Sequence, residues 1–282
     1  MSFQDVIRNV KRSVVGLGLL ADPQDPLSVV IRGTGFVVHP DGWIMTNRHV
    51  AELFLGERDG MFGVRNAIAR AVVFVDTIRE IPGIAGQGVP HHGTVPCPIV
   101  EIAAAPRGEN HLEDLHYNQA PDLAVCRIGL GGFDYLNPLP HLPLGDSSRI
   151  REGDEVAVCG FPMGLTLPRD ERLRQVTPIV QKGIIAAILP WSGVPNPHAF
   201  QLDIQINPES SGSPVFIPES GEVIGVVFAM RIRSETVRLP GPNGDEEVAA
   251  ITLPTGLGYA VPSNRYREQP EPVTRLPDVY HR

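Results

Sequence analysis

Lysine is almost missing from this 282-residue chain: Lys11 and Lys182 stand alone among 24 basic residues, and neither is followed by serine or threonine. No Gly-Lys-Ser/Thr phosphate loop can form, which removes the common nucleoside-triphosphate chemistries. Gly-x-Gly-x-x-Gly, His-Glu-x-x-His and Gly-x-Ser-x-Gly are missing as well, so the dinucleotide fingerprint, the zincin helix and the hydrolase nucleophile elbow drop out. Basic charge is in deficit: 24 Lys and Arg against 32 Asp and Glu give a net charge of -8, the wrong sign for phosphate binding, and no nucleic-acid partner is expected. Cysteine is scarce, and Cys97, Cys126 and Cys159 are an odd number at spacings that suit neither a disulfide framework nor paired metal knuckles. Reduced, buried thiols are expected. Long apolar runs are lacking too. The stretch 14–21 is too short and too broken by glycine for a membrane span or a secretory leader, so no membrane partner is expected and the location is read as cytoplasmic.

What the chain has in excess is punctuation. Its 29 glycines and 28 prolines make up about a fifth of the residues, against a usual sum near 12%. That suits many short strands joined by turns and argues against a helical bundle. Ser2, with Asp5 three residues on and Val6, Ile7 and Val10 at helical spacing, predicts a short N-terminal helix. Strands are then expected at 13–20, 28–39, 43–46, 71–76, 95–104 and 123–128, and again at 155–160, 177–189, 199–206, 212–217, 223–230 and 258–261. Long loops are expected at 77–95 and 106–121. Two successive lobes of about six strands fit closed barrels better than open sheets, because closure removes exposed edges. The expected architecture is therefore all-β: two six-stranded antiparallel barrels behind a short helix, within a single domain spanning 1–282. The N-terminal lobe is placed at 13–129, the connection at 130–144 and the C-terminal lobe at 145–264.

Three segments set a reactive polar residue beside an apolar strand: Thr46-Asn47-Arg48-His49-Val50, Asp122-Leu123-Ala124-Val125, and Asn207-Pro208-Glu209-Ser210-Ser211-Gly212-Ser213-Pro214-Val215. A serine hydroxyl is a poor nucleophile near neutral pH. It needs a histidine to take its proton and a carboxylate to fix that histidine's tautomer. His, Asp and Ser supply those roles in that order, although Glu113 or Asp114 could replace Asp122 as the carboxylate. Gly145-Asp146-Ser147 imitates a nucleophile motif but reads as a turn.

The order and contexts of these segments resemble the chymotrypsin-type serine proteases, and specifically the protease domain of the HtrA/Deg family. Similar segments occur at Gly33-Thr34-Gly35-Phe36-Val37-Val38, Gly160-Phe161-Pro162-Met163-Gly164, Gly221-Glu222-Val223-Ile224-Gly225-Val226 and Gly258-Tyr259-Ala260-Val261-Pro262. The resemblance implies two β-barrels with the site in the cleft between them, His49 as general base, Asp122 as its orienting carboxylate and Ser211 as nucleophile. It implies an oxyanion hole built from the backbone N–H groups of Glu209 and Ser211, and a substrate-pairing strand at Phe228-Ala229-Met230. It implies hydrolysis of protein or peptide substrates through an acyl-enzyme, no metal or organic cofactor, and room for a homo-oligomer or an activating partner.

Two departures stand out. Glu209 occupies a position where the family usually has glycine, and a left-handed backbone there would cost a residue with a β-carbon roughly 1 kcal/mol. The rival reading follows from it: a latent or degenerate protease-fold scaffold whose oxyanion hole forms only with a partner or substrate. The chain also ends about twenty residues past Pro262, where the family continues into a PDZ domain, so none is expected here. Phe228, Ala229 and Met230 include no acid that would invite Arg or Lys, and small or aliphatic side chains before the cut are expected. His91, His92, Cys97, His111 and His116 fit no closed zinc spacing, and the mixed charges at 169–174 read as a solvated loop.

Overall fold

The computed structural model describes residues 2–25, 28–58, 61–80, 88–104, 121–132, 136, 138–162, 177–240 and 246–268. Helix α1 (Phe3–Ser13) opens the chain with a reciprocal cap: the Asp5 N–H donates to Ser2 Oγ at 3.3 Å, and the Asp5 carboxylate accepts from the Ser2 N–H at 3.3 Å. The first barrel comprises β1 (Val14–Leu20), β2 (Val29–His39), β3 (Trp43–Thr46), β6 (Ala69–Glu80), β7 (Gly88–Ala104) and β8 (Ala124–Ile128), closed in the order β1-β2-β3-β8-β7-β6. Helix α2 (Arg48–Glu52) and a small hairpin of β4 (Leu55–Arg58) with β5 (Met61–Val64) follow β3. The second barrel comprises β9 (Glu155–Gly160), β10 (Ile179–Leu189), β11 (Ala199–Leu202), β12 (Pro214–Phe216), β13 (Val223–Pro240) and β14 (Glu246–Pro262), closed as β10-β11-β14-β13-β12-β9. Every pair within the barrels is antiparallel.

Successive strand residues face opposite sides of a sheet, and here both sides are buried. In the first barrel Val15, Val37, Ile44, Val73 and Cys126 fill the interior, while their neighbours Val14, Phe36, Val38, Met45, Val72 and Val125 join a second cluster. That second cluster also takes Ala157, Cys159, Phe216, Val226 and Val261 from the other barrel, and Val6, Val10 and Leu142 from α1 and the inter-barrel connection. The second barrel has its own interior of Val156, Val158, Ile185, Phe200, Leu202 and Val227. The strands read as near-continuous apolar runs because one face fills a barrel and the other docks the two barrels together.

The expected loop at 77–95 is corrected. Residues 77–80 and 88–95 continue the β6–β7 ladder, with Thr77 opposite His91 and Glu80 opposite Gly88. Pro90 and Gly93 look like loop punctuation, but β7 pairs there with β6 alone, and an edge strand tolerates a residue that cannot donate. The strands expected to stop at 230 and start at 258 likewise run on, pairing Ile232 with Pro254 and Pro240 with Glu246. No hydrophobic period marks that ribbon, and among its described residues Ile232 and Val248 are 54% and 69% exposed. The β4–β5 hairpin was not expected from the sequence either. Residues 106–120 and 169–174 lie outside the described residues. Gly145-Asp146-Ser147 is a turn, with Asp146 Oδ1 accepting from the Ser148 N–H at 3.1 Å to start a short 3₁₀ turn.

Phe200 is fully buried within the second barrel. Phe200→Ala is expected to cost about 3–5 kcal/mol of unfolding free energy, read by chemical denaturation, through lost transfer energy and the cavity left behind.

Candidate active site

Strands β3 and β8 are antiparallel, with Thr46 opposite Ala124. The chain leaves β3 just after Thr46 and enters β8 just before Ala124, so His49 and Asp122 emerge at the same end of the same strand pair. Asn47 N-caps α2 in an extended conformation and is buried, and its side-chain Nδ2 donates to the Asp122 carbonyl at 2.8 Å. The His49 N–H donates to Asp122 Oδ1 at 3.1 Å, and His49 Nδ1 lies 2.6 Å from Asp122 Oδ2. Burial is the largest influence on the Asp122 carboxyl and pushes its pKa up, but the hydrogen bonds from His49 and the charges of His49 and Arg48 together outweigh it and hold the pKa below the ordinary value. An ionised Asp122 requires the proton on Nδ1 of His49, which leaves Nε2 free to accept. The imidazole is 41% exposed and the carboxylate 21%. Of the alternative carboxylates, Glu113 and Asp114 lie outside the described residues.

Ser211 lies in the turn between β11 and β12. The Ser210 N–H donates to the Asn207 carbonyl at 3.2 Å and the Ser213 N–H to the Ser210 carbonyl at 3.0 Å, closing the turn on itself. The Gly212 N–H donates to the Val227 carbonyl at 2.8 Å and the Val227 N–H to the Ser213 carbonyl at 2.9 Å, tying the turn to β13. Gly212 has φ +88, and a β-carbon there would collide with the Thr34 carbonyl and the Thr46 hydroxyl, so only glycine fits. This close approach brings the Ser211 turn of the second barrel against Thr46, just upstream of His49. Ser211 Oγ donates to the Phe228 carbonyl at 3.4 Å. Phe228 sits where the β13–β14 register shifts, and its ring is 6.2 Å from that of Tyr259, while Met230 packs against the second barrel's interior.

Glu209 is the one non-glycine residue with positive φ among the described residues, at 64°. Neither its N–H nor that of Ser211 is taken up by an acceptor among the described residues. Sequence analysis assigned no task to Thr34, which joins the two halves of this site. Its N–H donates to the Ser211 carbonyl at 2.8 Å and its hydroxyl to the Glu209 carbonyl at 3.2 Å. Its carbonyl accepts from Thr46 Oγ1 at 2.7 Å. Glycines on either side of a polar residue in an apolar strand were the only sign of such close packing. The three thiols are remote from acid–base use: Cys97, Cys126 and Cys159 are free and buried, and desolvation pushes each up to about 12.

Comparison with known proteins agrees with this architecture. The trypsin-like peptidase domain family matches residues 33–226. The chain belongs to that family. Over 255 residues, this trypsin-like peptidase domain is 29% identical to the magnetosome formation protease MamE of Paramagnetospirillum magneticum, covering 89% of this chain and 25% of that protein. It is also 29% identical over 205 residues to a probable periplasmic serine endoprotease DegP-like of Halomonas elongata, covering 72% and 30% of the two chains. Among solved structures, the HtrA-type protease AlgW with tripeptide superposes with a TM-score of 0.51 at 19% identity, over 95% of this chain and 62% of that one, a likeness of fold. The domain is thus HtrA-like, and it spans about a quarter to a third of the length of these curated relatives. The expected lack of a PDZ domain concerns these 282 residues alone. The cytoplasmic expectation is corrected: the relatives are named as periplasmic endoproteases and a magnetosome protease. It rested on a missing leader, and a stretch covering only part of its relatives is no guide to one. Among the described residues no helix is long and apolar enough to cross a membrane.

Because the hydrogen bonds and charge of His49 hold the folded Asp122 carboxyl below the ordinary carboxylate value of 3.8, against the opposing effect of burial, its ionised form contributes stability that is present above that value and lost as pH falls through the lower folded pKa. Wild type is expected to be more stable than Asp122→Asn at pH 6, with the gap narrowing below pH 3.8, as read by denaturation midpoints across pH.

Proposed function

We propose that this domain is a serine endopeptidase in which His49, Asp122 and Ser211 act as base, orienting carboxylate and nucleophile. The observation that carries the reading is the doubly bonded Asp122–His49 pair, which holds the proton on Nδ1 and leaves Nε2 free to accept. Ser211 Oγ attacks the substrate carbonyl while its proton passes to His49 Nε2, and Asp122 stabilises the imidazolium that forms. The backbone N–H groups of Glu209 and Ser211 receive the oxyanion. The proton then goes to the leaving amine, an acyl-enzyme remains, and water attacks it with His49 again as base. The Ser211–Phe228 bond at 3.4 Å is long for a hydroxyl donor and is given up at little cost on that attack.

The substrate class proposed is protein or peptide, in keeping with relatives named as endoproteases and with a peptide-bound neighbour of the same fold. Phe228, Ala229 and Met230 pair with the substrate backbone in this reading, with small or aliphatic side chains before the cut. The rival is a latent or degenerate scaffold whose oxyanion hole needs a partner or substrate because Glu209 makes a left-handed backbone costlier. The positive φ of Glu209 supports the endopeptidase reading over it, since that cost is already met in this chain alone.

A fluorophosphonate probe, which needs an activated serine whatever the substrate, tests the reading. One adduct mapped to Ser211 is expected, absent from Ser211→Ala, with turnover of a casein substrate falling by about a thousandfold or more in that variant. Folded wild-type protein that gives no adduct overturns the proposal.

A further inference from the structure

A residue with a β-carbon does not hold a left-handed backbone unaided. Glu209 does so, at the position whose N–H the proposed hole requires, and its neighbours name what holds it. Thr34, fully buried in β2 of the other barrel, donates its hydroxyl to the Glu209 carbonyl at 3.2 Å and its N–H to the Ser211 carbonyl at 2.8 Å. The direction of the hydroxyl is set, because Thr34 Oγ1 also accepts from the Phe161 N–H at 3.1 Å and that group can only donate. The remaining polar atom, the carbonyl, accepts from Thr46 Oγ1 at 2.7 Å. One residue is thereby held by the first barrel through its carbonyl and by the segment after β9 through its hydroxyl, and it bonds both carbonyls that flank Ser210, that of Glu209 by its hydroxyl and that of Ser211 by its backbone N–H.

Escape of Glu209 into the right-handed or extended region changes ψ as well as φ. A change in ψ rotates the Glu209 carbonyl away from Thr34 Oγ1. Thr34 is fully buried, so its abandoned hydroxyl would be left without an acceptor, which opposes the motion. Resting on the function proposed above, we propose that Thr34 is a positioning residue whose hydroxyl keeps the Glu209 N–H turned toward the oxyanion, allowing this chain to carry glutamate where glycine is usual.

The test is a double-mutant cycle. Thr34→Val keeps the shape and all backbone bonds but removes the hydroxyl; Thr34→Ser keeps the hydroxyl. Each is made with Glu209 intact and with Glu209→Gly, and the rate of fluorophosphonate labelling at Ser211 is followed together with kcat and KM on a peptide substrate. With Glu209 intact, Thr34→Val is expected to slow labelling and lower kcat about tenfold or more at unchanged KM, the signature of a group acting on the transition state. Thr34→Ser stays near wild type. With Glu209→Gly, the Thr34→Val penalty largely disappears, because glycine holds the left-handed turn without help. Equal slowing in both backgrounds, or no slowing in either, overturns the proposal and leaves the nucleophile assignment standing. A wild-type protein that does not label at all overturns both. Should melting curves show that Thr34→Val does not fold, Thr34→Ala takes its place in the same cycle.

Discussion

The structure depends on the apolar layer shared by the two barrels. A barrel alone would need one apolar face per strand. Here strands such as β1, β2 and β9 are apolar on both, with Val15 and Val156 turned into their own barrels and Val14 and Ala157 turned into the common cluster. Docking two barrels this way removes from water a surface that would otherwise be an exposed apolar patch far larger than soluble proteins carry. Helix α1 and the inter-barrel segment contribute Val6, Val10 and Leu142 to the same layer. The candidate site is a by-product of that docking, since His49 and Ser211 come from different barrels.

Local chemistry then does two separate jobs at the cleft. On the first barrel, antiparallel pairing of β3 with β8 sets His49 and Asp122 at one end of a strand pair, and three hydrogen bonds hold Asp122: Asn47 to its backbone carbonyl, and the backbone and ring of His49 to its two carboxylate oxygens. A carboxylate so bonded remains charged although burial opposes it. On the second barrel, the Ser211 turn is tied to its own sheet through Gly212 and Val227 and to the neighbouring barrel through Thr34. Strain at Glu209 is tolerated because the segment is fixed on both sides, which is where backbone strain persists in folded proteins.

Beyond the barrels β6–β7 and β13–β14 run on as two-stranded ladders, and a two-stranded ribbon alone is marginal in water. They draw their order from the barrels in which they are rooted. The β13 ribbon starts just past Met230, on the strand whose Phe228 carbonyl accepts from Ser211 Oγ.

The amino-acid sequence by itself determined much of this. Dense Gly and Pro punctuation with short apolar runs is sufficient for two six-stranded barrels, and His49, Asp122 and Ser211 could be singled out because nucleophilic chemistry needs those residue types beside rigid strands. The capped helix was legible from Ser2 and Asp5, whose bonds are local. What tertiary structure alone decided are the matters that depend on residues far apart in the chain. The strand pairing of 77–80 with 88–91 and of 232–240 with 246–254 follows no hydrophobic period in the sequence. The conformation of Glu209 could not be read from its own neighbours, because a positive φ at a non-glycine residue is disfavoured locally and is settled by a hydroxyl 175 residues away. Thr34 was invisible for the same reason: a threonine in an apolar strand has no local requirement for four hydrogen bonds, and three of them, with Glu209, Ser211 and Phe161, form only when the second barrel docks.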